Sequence, residues 1–390
     1  MTALGDDRSE RLARDRVQRA WLAVHSPLRH VDVGLVLVPL ALSALGLVMI
    51  YSATAARLQA QGLDPSLFVN RQLISFAVGI AVMVAVMSFD YRQLRAWGPL
   101  LYVGAIALLV WVLFDGTIIN ASRSWIVIGG FQFQPSELAK PALIITLAAL
   151  FHERREEALG LRALVEALVL AGVPMLLILR QPDFGTFTVF AALTFGVLLM
   201  AGVRVRYLAL LAGLAIAAVL GALQLDVMQE YQEDRLATFI DPTADPGGAG
   251  FNVHQAMIAI GGGGFAGHGL MQGPQTSSAF VPENHTDFIF TVIGEELGFL
   301  GAAAVLLLFG VLLWRVLRVV ALSRDTFGSL LAAGVAAVIA FHFFINVGMS
   351  VGLMPVTGLP LPFVSYGGTS IIASFFMIGL VQSVHMRRHA

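Results

Sequence analysis

Long apolar runs separated by short polar stretches dominate the chain. Ten runs approach the roughly 20 residues that a helix needs to cross a hydrocarbon core about 30 Å thick. They lie near residues 31–54, 70–89, 97–114, 136–152, 163–180, 184–202, 206–224, 287–317, 326–353 and 365–386. The eighth run is long enough to tilt or to project from the bilayer. This pattern predicts an all-α polytopic membrane protein with ten transmembrane helices.

The polar stretches set the predicted domain boundaries. Residues 1–30 are too charged for a signal peptide and form a cytoplasmic segment, residues 31–386 form the helical domain, and residues 387–390 form a cytoplasmic tail. The longest interruption, residues 225–286, predicts a large extracytoplasmic loop between helices 7 and 8, and loops of this length are commonly functional. Two of its stretches are expected to lie along the membrane surface, residues 226–235 and 251–260. The apolar stretch 355–363 predicts a segment that folds back into the bundle.

Composition agrees with a membrane protein and excludes several functions. The chain is 57% hydrophobic and only 13% charged, whereas soluble domains carry about 25% charged residues. Its net charge of −1 gives no general attraction to nucleic acid, so no nucleic-acid partner is expected. The chain has no cysteine, which excludes disulfides, thiolate metal sites and cysteine nucleophiles.

The distribution of basic residues predicts the orientation. With the N-terminus in the cytoplasm, eighteen of the 24 lysines and arginines fall on the cytoplasmic side. The six on the outer side are Arg57, Arg71, Arg123, Lys140, Arg180 and Arg235. Because cytoplasmic loops of membrane proteins are enriched in basic residues, both termini are predicted to be cytoplasmic.

Several outer charges form a first candidate site. They are Arg123 with Trp125, Glu137 with Lys140, and Arg180 with Asp183. Glu137 lies three residues before Lys140, so the two share a helix face and can pair inside the membrane. Together these groups predict a polar cavity that opens outward and suits a phosphate-bearing ligand. The alternative is a set of interfacial side chains plus one structural ion pair.

A second candidate site lies at residues 283–287. Thr286 can cap the eighth helix, and Asp287 in the first turn is a candidate general base at the membrane boundary. The alternative is that Asp287 only caps the helix. Residues 225–288 contain eight acidic residues against one arginine, so a divalent cation, Mg²⁺ or Mn²⁺, is a possible cofactor with Asp287 and Glu283 as candidate ligands.

Nucleotide chemistry is not indicated by any motif. The chain has no Walker A, dinucleotide-binding, kinase or hydrolase signature, so no nucleotide cofactor is expected. A group transfer outside the membrane therefore needs a donor that is already activated, and a lipid pyrophosphate meets this need.

Four stretches together resemble the SEDS family (shape, elongation, division and sporulation). They are residues 134–137 (QPSE), 235–250 (RLATFIDPTADPGGAG), 281–298 (VPENHTDFIFTVIGEELG) and 360–368 (PLPFVSYGG). Residues 273–276 (GPQT) and 354–360 (MPVTGLP) are similar to the elongation branch, RodA. Two positions depart from the family pattern: Ala256 and Gly262 stand where serines are common.

The resemblance implies a ten-helix peptidoglycan glycosyltransferase in the bacterial cytoplasmic membrane, which polymerises lipid II on the outer side. It implies a class B penicillin-binding protein as the transpeptidase partner, together with other membrane proteins of the elongation complex. Asp287 falls on the catalytic aspartate of the HTDF motif. The family's loop arginine and tryptophan, its SExxK pair and the aspartate of its QPD turn fall on Arg123, Trp125, Glu137, Lys140 and Asp183. Arg180, Gln275, Glu283 and His285 complete the predicted set of substrate-binding residues.

Two other functions stay open at this point. A lipid flippase or transporter is also consistent with ten spans and buried charges, although no inverted repeat is visible. A scaffold of the division or elongation machinery would need no catalytic aspartate. Within the family, the alternative to the elongation branch is the division branch, FtsW.

Overall fold

A computed structural model describes residues 30–119, 122–129, 131–154, 160–224, 249–277 and 283–388. Within these residues lie twelve α-helices: α1 (Val33–Ala60), α2 (Leu67–Ser88), α3 (Leu94–Asp115), α4 (Pro135–Glu153), α5 (Leu161–Arg180), α6 (Phe184–Met200), α7 (Val205–Gln224), α8 (Ala249–Gly262), α9 (Pro274–Ser277), α10 (Ile289–Leu322), α11 (Thr326–Ser350) and α12 (Gly368–Met386). All except α8 and α9 coincide with predicted spans. The predicted interfacial helix at residues 226–235 lies outside the described residues.

The helices have the composition of a membrane bundle. Among the described residues, seven helices are long and apolar enough to cross a membrane: α1, α2, α3 with the short turn before it, α5, α10, α11 and α12. Helices α6 and α7 are apolar but offer shorter described stretches, and α4 carries a buried ion pair. A polytopic helical fold is therefore confirmed, and the total of ten spans stays a prediction.

Aspartate caps fix the beginning of several helices. Asp32 accepts hydrogen bonds from the first amides of α1, Asp183 from Thr186 N of α6, and Asp325 from Gly328 N of α11. A carboxylate at this position satisfies amides that have no partner within the helix and interacts favourably with the helix dipole. Helices α11 and α12 are the most enclosed of the candidate spans, and they form the centre of the core.

A small sheet was not predicted from the sequence. Strands β1 (Thr117–Ile119), β2 (Ser122–Ile128) and β3 (Phe131–Phe133) pair antiparallel in the order β1-β2-β3 between α3 and α4. Its β-branched and aromatic residues around Gly129-Gly130 are typical of a hairpin. The sheet places Arg123 and Trp125 on β2, so both sit in a fixed extended backbone.

Helix α10 is broken at Gly298, which has a φ of 65° and a ψ of −161°. Four hydrogen bonds join the break to the segment that follows α8: Phe299 N to Gly264 O (2.9 Å), Leu300 N to Phe265 O (3.2 Å), His268 N to Glu295 O (3.0 Å) and Gly269 N to Glu296 O (3.0 Å). Residues 264–269 thus satisfy groups that the helix leaves unpaired. The length of the predicted eighth span is therefore divided between two helical parts.

The connection between α11 and α12 folds back into the bundle, as predicted. Leu359, Leu361 and Phe363 are almost completely buried. Ser365 Oγ accepts a hydrogen bond from Leu361 N at 2.8 Å, which closes a turn inside the protein. The returning segment, residues 357–360, forms one wall of the site described next.

Candidate active site

A cavity of about 570 Å³ opens at the end of the bundle that carries the sheet. The side chains along its described lining include Arg57, Arg71, Trp125, Glu137, Asp183, Glu283, His285, Asp287 and Tyr366. The returning segment, residues 357–360, contributes a further wall. The structure therefore brings both candidate sites together in one cavity, with six of the ten predicted site residues along it.

The turn before α10 carries the acidic side of the cavity. Thr286 Oγ1 donates to Glu283 O at 3.1 Å and to Glu283 Oε2 at 2.9 Å, and α10 begins only at Ile289. The prediction that Thr286 caps this helix, with Asp287 in its first turn, was therefore wrong. Asp287 instead precedes the helix, because Thr286 closes a separate turn with Glu283.

Asp287 is positioned by contacts of its backbone with α11 and of its carboxylate with the returning segment. Its carbonyl oxygen accepts a hydrogen bond from Asn346 Nδ2 at 2.7 Å. Its Oδ2 lies 3.4 Å from where a Cβ on Gly358 would be, and Gly358 has a φ of 72°. The carboxylate therefore faces the returning segment at Gly358, where the positive φ favours a glycine.

Glu137 and Lys140 form the buried ion pair predicted from their spacing. Lys140 Nζ lies 2.8 Å from Glu137 Oε1, and the two side chains are 2% and 5% exposed. Lys140 Nζ also contacts Nε2 of His342 on α11 at 3.2 Å. Glu137 lines the cavity, whereas Lys140 is not among its described lining residues and lies behind Glu137.

Asp183 joins this polar group from the turn between α5 and α6. Its Oδ2 accepts a hydrogen bond from Gln134 Nε2 at 3.1 Å, and its Oδ1 caps α6. Burial raises the pKa of Asp183, while the amide of Thr186 and the charge of Lys140 oppose this rise. Residues 181–183 thus connect α5 to α6 and bring Asp183 to the cavity.

An aromatic cluster holds His285 against the cavity wall. Its ring centroid lies 4.9 Å from Phe68 and 5.6 Å from Tyr366, whose amide donates to the His285 carbonyl at 2.9 Å. Burial lowers the pKa of His285; Glu283 opposes this and Arg57 adds to it. Nδ1 of His285 is buried and has no hydrogen-bond partner among the described residues.

Three predicted binding residues lie elsewhere. Arg123 and Arg180 are exposed and absent from the described lining of the cavity. Gln275 lies in α9, where its backbone amide donates to Glu295 Oε1 at 2.7 Å. Glu295 and Glu296 are buried acceptors that hold α9 and Ser52 of α1, so they serve the packing of α10.

Several lining or supporting residues were not assigned to the site from the sequence. Arg57 and Arg71 were noted only as outer cations, and His342 and Asn346 were not singled out. The signal available for the last two was their polar character inside an apolar helix, at positions four residues apart. Lys140, a partner of His342, is 202 residues away in sequence, and Asp287, a partner of Asn346, is 59 residues away, so no local pattern reveals these contacts.

The site offers only part of a metal centre. Among the described residues, no group of three or more histidine or carboxylate side chains is placed to hold an ion. Glu283 and Asp287 both line the cavity, and magnesium sites often combine one or two carboxylates with substrate phosphates and water. The residues present therefore fit an ion that arrives with a phosphate-bearing substrate.

Comparison with known proteins decides the family. The sequence model of the FtsW/RodA/SpoVE family, described as "Cell cycle protein", matches residues 33–390. The chain belongs to this family. The resemblance to the SEDS proteins is thereby confirmed, and the SEDS residues quoted from the sequence lie within the matched range.

Curated relatives cover nearly the whole chain. The SEDS chain is 38% identical over 356 residues to stage V sporulation protein E of Bacillus subtilis, covering 90% of this chain and 96% of that protein. It is 37% identical over 359 residues to peptidoglycan glycosyltransferase MrdB of Escherichia coli, covering 92% and 94%. It is 38% identical over 366 residues to the probable peptidoglycan glycosyltransferase FtsW of Trichlorobacter lovleyi, covering 92% and 93%.

Solved structures show the same fold. RodA of Thermus thermophilus superposes with a TM-score of 0.69 at 30% identity, covering 92% of this chain and 98% of that chain. A chain of the structure described as "Structural coordination of polymerization and crosslinking by a peptidoglycan synthase complex" gives 0.77 at 34% identity, covering 92% and 98%. The expected glycosyltransferase activity is confirmed at the level of the family, whereas the mixed relatives do not select one branch.

Proposed function

We propose that this SEDS protein is a peptidoglycan glycosyltransferase that polymerises lipid II, with Asp287 as the general base. The observation that carries the proposal is the position of Asp287 in a cavity of about 570 Å³ together with Trp125 and two arginines, Arg57 and Arg71. A carboxylate beside cationic and aromatic groups suits a substrate that combines sugar hydroxyls with a pyrophosphate.

The proposed reaction is a single displacement. Asp287 takes the proton of the acceptor's sugar 4-hydroxyl, while the oxygen of that hydroxyl forms a bond to the anomeric carbon of the donor. The bond from that carbon to the pyrophosphate oxygen breaks, and the lipid pyrophosphate leaves from the opposite face with the electron pair. The anomeric configuration is therefore inverted, and a positioned base contributes about 10²–10⁴-fold to the rate.

Other lining groups divide the remaining tasks. Arg57 and Arg71 are proposed to bind the pyrophosphate, in place of Arg123 and Arg180, because they line the cavity. Trp125 is proposed to stack on a sugar ring. His285 is proposed to shape the same wall of the cavity, since its ring packs against Phe68 and Tyr366.

A divalent cation is proposed to accompany the substrate. Glu283 and Asp287 would hold it together with phosphate oxygens and water. The ion would neutralise charge on the departing pyrophosphate. Chelation during the polymerisation assay tests this proposal: activity should fall and should return with added Mg²⁺ or Mn²⁺.

The cellular setting is also a proposal. We place the cavity on the outer face of the bacterial cytoplasmic membrane, with both termini in the cytoplasm, because the basic residues favour that orientation. We assign the chain to the elongation branch on residues 273–276 and 354–360. A class B penicillin-binding protein is the proposed partner, together with other elongation-complex membrane proteins, and the similar chain from a peptidoglycan synthase complex supports a partner of this kind.

The decisive experiment compares Asp287→Asn with Asp64→Asn in the full chain, purified with its partner transpeptidase and supplied with lipid II. Asp64 lies in the turn after α1 and outside the described cavity lining, so it is a matched carboxylate control. Asp287→Asn should lower the polymerisation rate by about 10²–10⁴-fold, and Asp64→Asn should leave it unchanged.

The same assay separates the alternatives. Glycan chains of normal yield from Asp287→Asn would contradict the base assignment while leaving the polymerase intact. Movement of fluorescent lipid II across a vesicle membrane, without glycan chains from the unaltered protein, would favour the flippase instead.

A further inference from the structure

Two polar side chains stand on the same face of α11, next to the cavity but outside its described lining. His342 and Asn346 are four residues apart and are 2% and 0% exposed. Polar groups at such depth in a membrane helix are expensive unless they are hydrogen-bonded, so their partners indicate what they do.

Asn346 connects Asp287 to the returning segment. Its Nδ2 donates to Asp287 O and to Leu359 O, each at 2.7 Å. The neighbouring Gly358 is the residue that Asp287 Oδ2 faces. One amide group therefore fixes the backbone of the proposed base relative to the wall in front of its carboxylate.

His342 connects the same segment to the buried ion pair. Its Nδ1 lies 3.1 Å from Pro360 O, and a carbonyl can only accept, so Nδ1 carries the hydrogen. Nε2 is then an acceptor for Lys140 Nζ at 3.2 Å, and Lys140 also donates to Glu137. An uncharged His342 thus connects Lys140 to the carbonyl of Pro360, and Asn346 holds the carbonyl of the preceding residue, Leu359.

We propose that His342 and Asn346 are positioning residues for glycosyl transfer, an inference that rests on the proposed function of Asp287. Together they hold the returning segment, residues 357–360, as a fixed strap between the carboxylate of Asp287 and the Glu137–Lys140 pair. Neither side chain belongs to the described cavity lining, so they act through the groups that they hold. A displacement of about 1 Å in a catalytic group can cost on the order of 100-fold in rate.

The test measures kcat and KM for lipid II polymerisation by the full chain with its partner transpeptidase. His342→Leu and Asn346→Leu remove the hydrogen bonds, and each should lower kcat by about 100-fold with KM changed less than about threefold. His342→Gln keeps a donor and an acceptor and should recover kcat to within about tenfold of the original. Ser350→Ala is the control, because Ser350 is buried on the same helix and its hydroxyl donates within that helix, to Asn346 O.

Three outcomes would overturn the proposal. Leucine variants with unchanged kcat would show that the strap is unnecessary. A raised KM with unchanged kcat would indicate direct substrate binding. His342→Gln as impaired as His342→Leu would mean that ring shape matters rather than hydrogen bonding. Where a leucine variant does not fold, judged by its melting temperature, Asn346→Ser or His342→Phe replaces it and faces the same criteria.

A double variant separates this inference from the proposed function. If Asn346 acts through the base, Asp287→Asn with Asn346→Leu should be no slower than Asp287→Asn alone. A further loss of about 100-fold would show an independent role and overturn the positioning assignment. If Asp287→Asn polymerises normally, the assignment of the base fails first, and the leucine variants then decide whether the strap matters by itself.

Discussion

At the scale of single residues, His285 shows how the cavity wall sets a charge state. The imidazole lies between Phe68 and Tyr366 in a packed aromatic cluster. Removal from water lowers its pKa below the ordinary value of 6.5, with Arg57 adding to the shift and Glu283 opposing it.

The lowered pKa of His285 predicts a pH effect on stability. As the pH falls below 6.5, the unfolded chain takes up a proton more readily than the folded one, so the free energy of unfolding decreases. His285→Phe keeps an aromatic ring and removes the titration. The melting temperature of the variant, measured from pH 7.5 to pH 5, should decline less than that of the original chain. Parallel curves for the two proteins would contradict the assignment.

The sequence could reveal residue pairs that are local, but not those that meet across the fold. Glu137 and Lys140 were predicted because three residues of helix bring them together. His342 carries no comparable signal, since its partner Lys140 is 202 residues away. The position of Thr286 was predicted wrongly because its hydroxyl donates to Glu283 and does not accept a hydrogen bond from a helix amide.

At the scale of elements, the break in α10 determines how the outer segment packs. A Cβ on Gly298 would lie 2.3 Å from Gly267 N, and the residue has a φ of 65°. Both facts demand a glycine, because other residues rarely adopt this conformation and a side chain would collide with backbone. The turn carrying Asp287 sits at the end of the half-helix that this break creates.

Gly298→Ala should therefore destabilise the protein by at least about 2 kcal/mol, from backbone strain together with the collision. Gly310→Ala is a matched control in the same helix, because a Cβ there meets nothing within 4 Å. The control should be neutral or stabilising by up to about 1 kcal/mol, since alanine favours a helix. Thermal unfolding in detergent measures both variants, and equal effects would refute the role given to Gly298.

The long helices followed from the apolar runs because a membrane leaves few other ways to satisfy a backbone. The three-stranded sheet did not, because its strands are only three to seven residues long and its pairing depends on turns. The break in α10 was not predicted either, because the apolar residues on both sides of GEELG form one long run. Elements defined by composition were thus predicted, whereas elements defined by contacts between segments were not.

At the scale of the whole molecule, the two ends of the helical bundle differ in the groups that they carry. One end holds the sheet, the cavity and the turn after α1. The other holds the α10–α11 connection, where Tyr91 donates to Asp325 and Arg92 lies 3.5 Å from it. Desolvation would raise the pKa of Asp325, but hydrogen bonds from Tyr91 and Gly328 and the charge of Arg92 lower it overall. This corner therefore carries a stable negative charge beside the basic residues of the proposed cytoplasmic face.

The proposed orientation can be measured directly because the chain has no cysteine. Gln61→Cys, in the turn after α1, should react with a membrane-impermeant maleimide in intact spheroplasts. Arg324→Cys, in the turn between α10 and α11, should react only after the membrane is opened. Both positions are exposed, so accessibility and not burial decides the result. The reverse pattern would overturn the assignment of inside and outside.

The backbone pairing at Gly298 has a consequence for the order of assembly. Residues 264–269 leave the synthesis machinery before residues 295–300, with which they form their hydrogen bonds. The amides of His268 and Gly269 therefore stay hydrated, in water or at the interface, until α10 has entered the bilayer. Deuterium uptake should accordingly report one event: amides of His268, Gly269, Phe299 and Leu300 should become protected together, as the two half-helices and the outer segment close into a single unit.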